Sequence, residues 1–330
     1  MGKTKIGRNK FFQYVAIVLL LVFLISSALL LLELWEKRQS QFPIIKEQET
    51  FLNYNGVDYV LKDNIETFLV LGLDKFEGYA ISDSYNNDKQ ADFLMLFVFD
   101  NSEKKYSTIH INRDTMVNVN VLGVAGNKID TVKKQIALAH TYGNGEGVSC
   151  RNTADSVSEL LLGMKVNHYL SLSMDSVAIL NDFVGGVEVT VLDDFTGIDD
   201  TLVKGETVTL MGEQALSYVR TRYGLEDSSN STRMARQQQY IKALHKKVQH
   251  SIEGDDEFIA EATLKMADYI VSDRSVTQMQ ELARKFNEYE FIDISNIEGE
   301  YKLGDEFIEF YPNEDSINKI VINLFYKPKD

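Results

Sequence analysis

Hydrophobic residues fall into three kinds of run along this chain. The first, FFQYVAIVLLLVFLISSALLLL (Phe11–Leu32), is almost unbroken and interrupted only by Gln13, Ser26 and Ser27. About 20 such residues match the roughly 30 Å hydrocarbon core of a bilayer, where a helix satisfies its own backbone. Lys3, Lys5, Arg8 and Lys10 precede the run without an acidic residue, which predicts a cytoplasmic residue 1–10 segment and an outward-facing remainder. Trp35 suits an interfacial anchor. A cleaved signal peptide is the alternative; its apolar region would be shorter, and Ser26–Ser27–Ala28 is followed at once by more apolar residues.

The second kind is short and rich in β-formers: TFLVLGL ending at Asp74, DFLMLFVFD (Asp92–Asp100), YSTIHIN (Tyr106–Asn112), HYLSLSM (His168–Met174) and VEVTVL (Val187–Leu192). Runs of this length without strict alternation predict strands covered on both faces. Asn101–Ser102 and Gly185–Gly186 supply turns. The third kind has helical spacing, predicting helices at Val132–Tyr142, Thr153–Leu162, Asp175–Phe183, Gly212–Val219 and Arg233–Val248, with further helix and strand signals after Asp255. Residues 33–66 read as a stalk and entry segment, and Glu77–Gln90 as a polar surface insertion. Alternating strands and helices predict an α/β domain over residues 67–330 with helices on both faces of its sheet.

The net charge is −15, yet residues 1–40 hold six Lys/Arg against two Asp/Glu, so the remainder carries −19. That excludes the basic footprint of a nucleic-acid binder. A single cysteine, Cys150, rules out an intramolecular disulfide and reads as a small buried hydrophobe. Five histidines fall in no metal-ligand spacing, and HExxH, GxSxG, the P-loop and GxGxxG with its acidic partner are all absent.

What remains is acids and arginines. Asp74 closes the first strand, Asp92 opens the second and Arg113–Asp114 closes the third, all at positions where open α/β sheets bind ligands. Arg220 and Arg222 share a side if their segment is extended. On the following helix, Arg233, Gln237, Ile241, Leu244 and Val248 form one stripe, apolar at its C-terminal end and polar at its start. An arginine entering a buried face needs a partner. That partner is either an internal acid or a phosphate, which suits the guanidinium fork and the helix N-terminus.

The pieces FLVLGLD, ADFLMLFVFD, INRDTMV, DFVGGVEVTV, KGETVTLMGEQALSYVRTR and NSTRMARQQ, in this order from Phe68 to Gln238, resemble the LytR-CpsA-Psr family. The resemblance runs from about Thr67 to Tyr326. It implies a three-layer α/β/α sandwich with a central mixed sheet and a long apolar pocket for a polyprenyl chain. It further implies transfer of a teichoic-acid-like or capsular glycopolymer from a polyprenyl-pyrophosphate carrier to peptidoglycan at the outer side of the cytoplasmic membrane. By the same resemblance, Asp74 and Asp92 would hold Mg²⁺ (or Mn²⁺), and Arg113, Arg220, Arg222 and Arg233 would grip the pyrophosphate, with Gln237 nearby. Two positions depart from the pattern: Gln90 stands where an arginine is common, and Asn230 where many members carry an acid, with Asp227 close enough to substitute. The resemblance leaves two alternatives, a polyprenyl-phosphate carrier module and a lipid pyrophosphatase.

Overall fold

The computed structural model describes residues 51–75, 89–174, 176–254, 257–304 and 307–329. The expected membrane span at 11–32, its flanks and most of the 77–90 insertion lie outside these residues. No helix among the described residues is long and apolar enough to cross a membrane.

A six-stranded mixed sheet organises the domain. Its strands are β1 (Ile65–Lys75), β2 (Lys89–Asp100), β3 (Lys105–Ile111), β4 (His168–Ser173), β5 (Ile270–Ser272) and β6 (Glu290–Asn296). Their spatial order is β5-β4-β1-β2-β3-β6. The β1–β4 and β3–β6 pairs are parallel and the others antiparallel. Three neighbouring strands therefore meet at one edge, where β1 ends, β2 begins and β3 ends. That edge carries Asp74, Gln90, Asp92 and Arg113.

Among the described residues, seven α-helices accompany the sheet: α1 (Gly147–Leu160), α2 (Ser176–Phe183), α3 (Glu213–Arg220), α4 (Asn230–Gly254), α5 (Phe258–Met266), α6 (Val276–Glu288) and α7 (Glu314–Phe325). Alternate strand residues face opposite ways. Leu69, Leu71, Leu94, Leu96 and Ile109 pack with Cys150, Ala154 and Val157 of α1 and with Val321 and Phe325 of α7. Phe68, Phe99 and Tyr106 point to the other face, where Phe286 of α6 meets Phe99 edge-on at 4.4 Å. Strands buried on both faces explain why these runs lack a polar alternation. Cys150 is buried, as expected of a small hydrophobe.

The helix expected over Val132–Tyr142 does not form. Lys128–Gln135 is instead a strand, paired antiparallel with Met116–Leu122, and Ile136–Thr141 is a short 3₁₀ helix. The partner, MVNVNVL, alternates with a period of two, and once it offers an edge the β-branched Val132 opposite Val119 is better used in a ladder than in a helix. The helix expected at Arg233–Val248 is longer, running from Asn230 to Gly254. Ser229 starts it, its hydroxyl accepting from the Thr232 amide at 3.4 Å.

Within the entry segment, Phe51–Tyr54 and Val57–Leu61 form a hairpin, to which the C-terminal Tyr326–Pro328 adds a third strand. Part of this segment thus folds back onto the end of the domain.

Candidate functional site

The register of β1 against β2 breaks at one place. Gly72 lies opposite Phe93 and Leu73 opposite Ala91, leaving Asp92 as the extra residue of a β-bulge. A bulge re-aims the side chain it carries. Gly72 sits beside it because a Cβ there would stand 2.7 Å from Met174 Sδ and 2.9 Å from Phe93 Cβ. Asp74 is consequently opposite Gln90 rather than Ala91.

Asp92 is gripped from two elements. Arg113, just past β3, pairs with its Oδ1, and Arg233 in the first turn of α4 lies 3.7 Å from its Oδ2. Arg113 also donates to the buried Gln90 Oε1 and stands 3.6 Å from Asp114. Gln90 therefore serves as a neutral acceptor that orients Arg113. Arg233 is only 4% exposed and gives both Nε (3.1 Å) and Nη2 (2.5 Å) to Asn230 Oδ1. Asp227 does not take that role; it is exposed and caps the Ser229 amide at 2.8 Å.

A second pair adjoins the first. Arg220, the last residue of α3, forms a two-pronged bond to Asp74, Nε to Oδ2 at 2.5 Å and Nη2 to Oδ1 at 2.8 Å. Arg222 is half-buried and donates to Tyr223 Oη at 2.9 Å. Its charge is felt inside the cluster. Burial pushes Arg233 down to about 10, with Asp92 opposing the shift and Arg113 and Arg222 adding to it. Burial raises Asp114, against the pull of Arg113, Arg233 and Arg222. Internal acids thus pair with Arg113, Arg220 and Arg233.

Arg236 has a different task. It is fully buried, donates Nη1 to the Tyr218 carbonyl at 2.6 Å and Nη2 to the Thr221 carbonyl, and pairs Nε with Asp193 at 2.9 Å. Those two carbonyls bracket Arg220, so Arg236 fixes the segment that delivers Arg220 and Arg222.

One turn after Arg233 the stripe begins to line an apolar space. Gln237 is buried, donating to the Val219 carbonyl at 3.1 Å, and lines an apolar chamber of about 220 Å³ with Gly72, Phe93, Tyr240 and Val177. A second chamber of about 370 Å³ shares Val70, Phe97, Leu172, Leu180, Ile241 and Leu244 with the first, and continues to Val248, Phe258 and Met279. The stripe Arg233, Gln237, Ile241, Leu244, Val248 thus runs from the arginine cluster along the length of the apolar space.

His110, buried beside this face, accepts at Nδ1 from Gln238 Nε2 at 3.1 Å. Burial and the nearby Arg233 push it down to about 3, and burial holds His140 down to about 4. An unfolded histidine titrates near 6.5, so between these values the unfolded chain binds more protons, and stability falls as pH falls. Acidification from pH 7 to 5 is expected to cost on the order of 2 kcal/mol per histidine. Urea melts at the two pH values check this. His110→Asn should flatten the dependence; an unchanged slope would remove His110 from the account.

Among the described residues, no group of three or more His, Cys, Asp or Glu side chains could hold a metal. Asp74 and Asp92 offer two carboxylates, which suits an ion that keeps several waters and shares phosphate oxygens, as Mg²⁺ does.

Arginines and aspartates thus gather at one edge of a mixed α/β sheet, beside a long apolar space. The profile of the LytR_cpsA_psr family matches residues 36–325, and the chain belongs to this family. It is 29% identical over 190 residues to an Enterococcus faecalis protein named polyisoprenyl-teichoic acid–peptidoglycan teichoic acid transferase TagU, covering 56% of this chain and 55% of that one. It is 26% identical to the biofilm regulatory protein A of Streptococcus mutans, covering 70% of this chain and 57% of that one. The matched stretch thus spans little more than half the length of these relatives. The fold is similar to TagT bound to LI-WTA, with a TM-score of 0.60 at 19% identity over 85% of this chain and 94% of that one. It is also similar to B. subtilis TagV, with a TM-score of 0.59 at 22% identity over 80% and 97%.

Proposed function

We propose that this protein transfers a phosphate-linked anionic glycopolymer, teichoic-acid-like or capsular, from a polyprenyl-pyrophosphate carrier to a hydroxyl of peptidoglycan. The observation that carries this reading is the single helical stripe of α4. It begins in a buried arginine and continues as the lining of an apolar space, so one element addresses both the head and the tail of such a donor. The name of the TagU relative, a teichoic acid transferase acting on peptidoglycan, supports the same reading.

In this reading Arg113, Arg220, Arg222 and Arg233 hold the pyrophosphate oxygens, and Arg113, Arg220 and Arg233 exchange for them the aspartates they pair with now. A guanidinium presents its donors in a fork that matches two phosphate oxygens at once. Asp74 and Asp92 would hold Mg²⁺ (or Mn²⁺), which when bound neutralises charge on the pyrophosphate. The acceptor hydroxyl forms a bond to the sugar-linked phosphorus, and the bond from that phosphorus to the bridging oxygen breaks; polyprenyl monophosphate leaves, and the hydroxyl proton passes to it or to solvent. The arginines stabilise the charge that builds on the equatorial and leaving oxygens. The reading places the protein at the cytoplasmic membrane, anchored by residues 11–32 with its domain outside.

Gln90 favours a second reading, a lipid carrier with little catalysis of its own, because a neutral amide stands where the family resemblance implies an arginine. Solvent extraction of the purified protein followed by mass spectrometry tests both. A retained polyprenyl phosphate that is lost in Arg220→Ala is the expected result. A protein that arrives empty and also fails to bind added lipid pyrophosphate would overturn the donor assignment.

A further inference from the structure

The hairpin formed by Gly299–Leu303 and Ile308–Pro312 is remote in sequence from every arginine of the site, yet it touches the site through Tyr301. Tyr301 is 42% exposed, and its ring meets Phe310 at 5.0 Å. Its hydroxyl oxygen accepts from Asn112 Nδ2 at 2.7 Å and lies 3.0 Å from Ser231 Oγ. Asn112, the residue before Arg113, is buried, and its Oδ1 accepts from the Asp114 amide at 2.9 Å and from Asn230 Nδ2 at 2.7 Å. Asn230 Oδ1 in turn accepts both bonds from Arg233. One unbroken line of hydrogen bonds therefore runs from Arg233 to Tyr301.

The direction of that line is imposed by its first member. A guanidinium can only donate, so Asn230 must turn its oxygen to Arg233 and its amide to Asn112. Asn112 must then present its oxygen to Asn230 and its amide to Tyr301. Neither asparagine can flip without placing two donors or two acceptors face to face in a buried setting, where each unmade bond is costly. The tyrosine oxygen ends the line as the acceptor of the Asn112 amide, with Ser231 Oγ as a second hydrogen-bond partner at 3.0 Å.

We propose that Tyr301 is a positioning residue of the phosphate site, holding Arg233 through Asn112 and Asn230 and bringing the C-terminal hairpin into the machinery. This rests on the reading of the arginine cluster as a pyrophosphate clamp. Without the hydroxyl, the buried Asn112 amide loses its acceptor, and that unmatched donor loosens the seat of Asn230 against Arg233.

The test is a double-mutant cycle on the full-length protein in detergent, read by calorimetric titration of inorganic pyrophosphate in the presence of Mg²⁺. Tyr301→Phe keeps the ring and its packing on Phe310. It is expected to weaken binding roughly 3- to 10-fold with an unchanged melting temperature, and to have no further effect in an Arg233→Ala background, because coupled residues are non-additive. An equal loss in both backgrounds would show that the hydroxyl acts independently of Arg233, and would overturn the proposal. So would unchanged binding, or a loss that tracks a fall in melting temperature. A wild-type protein that binds no pyrophosphate would overturn the clamp itself, a result distinct from an additive cycle in a protein that binds.

Discussion

Asp92→Asn is expected to abolish polymer transfer, by at least about a hundredfold in kcat, while bound lipid is retained. The carboxylate sits on the bulge between Arg113 and Arg233, the two arginines that enter the site from separate elements. In the proposed reaction it is the group that would share a metal with the pyrophosphate, and an amide is a poor substitute for such a ligand. The amide keeps the shape and one acceptor, so the fold should survive. Asp92→Ala should lose transfer and stability together, because Arg233 is buried and removing one partner of a buried pair costs about 3–5 kcal/mol. Transfer of labelled donor to peptidoglycan, measured beside lipid retention and thermal melting, separates the two variants. Full transfer by Asp92→Asn would remove this carboxylate from the chemistry.

Arg236→Met should have the largest effect on stability, about 3–5 kcal/mol, with a fall in melting temperature of about 10 °C. Nothing in the fold can replace its two hydrogen bonds to the carbonyls of Tyr218 and Thr221 together with its ion pair to Asp193. A lysine cannot either, since a point charge with three donors lacks the planar fork. Asp193→Ala should cost a comparable amount, and the double variant less than the sum of the two. Because the two carbonyls bracket Arg220, transfer should decline even below the melting temperature. A wild-type melting curve for Arg236→Met would mean that the buried guanidinium contributes nothing net.

These two arginines show how far local pattern carries. Arg233 was legible, because a charged residue heading an otherwise apolar helical stripe demands a partner, and the stripe does line the apolar space. Arg236 stands three residues along the same helix, off that stripe, and its burial depends on Phe195 and Tyr218 closing over it at 5.3 and 5.9 Å. The strand ends carrying Asp74, Asp92 and Arg113 were legible for a similar reason, since short β-rich runs stop at charged residues. The bulge that separates Asp92 from Asp74 was not, because it arises from the relative register of two strands and from the space around Gly72.

Asn112, Asn230 and Tyr301 mark the other boundary. Their bonds join residues 118 and 189 positions apart, and none of these side chains has a local signature that distinguishes it from an ordinary turn or hairpin residue. The misread segment at Val132–Tyr142 fails for the same physical cause. A lone strand of mixed polarity acquires its identity only from the edge it pairs with, here Met116–Leu122.

The hairpin at Phe51–Leu61 has a mechanical consequence. It belongs to a three-stranded sheet of its own, with Phe51–Tyr54 paired only to Val57–Leu61, and that strand paired to Tyr326–Pro328. A pull on the chain ahead of Phe51 therefore loads this small sheet first. Its outermost strand can peel away under tension while Ile65–Lys75, held between two neighbours in the central sheet, stays seated. The edge that carries the arginines is shielded from strain by a mechanical fuse four residues long.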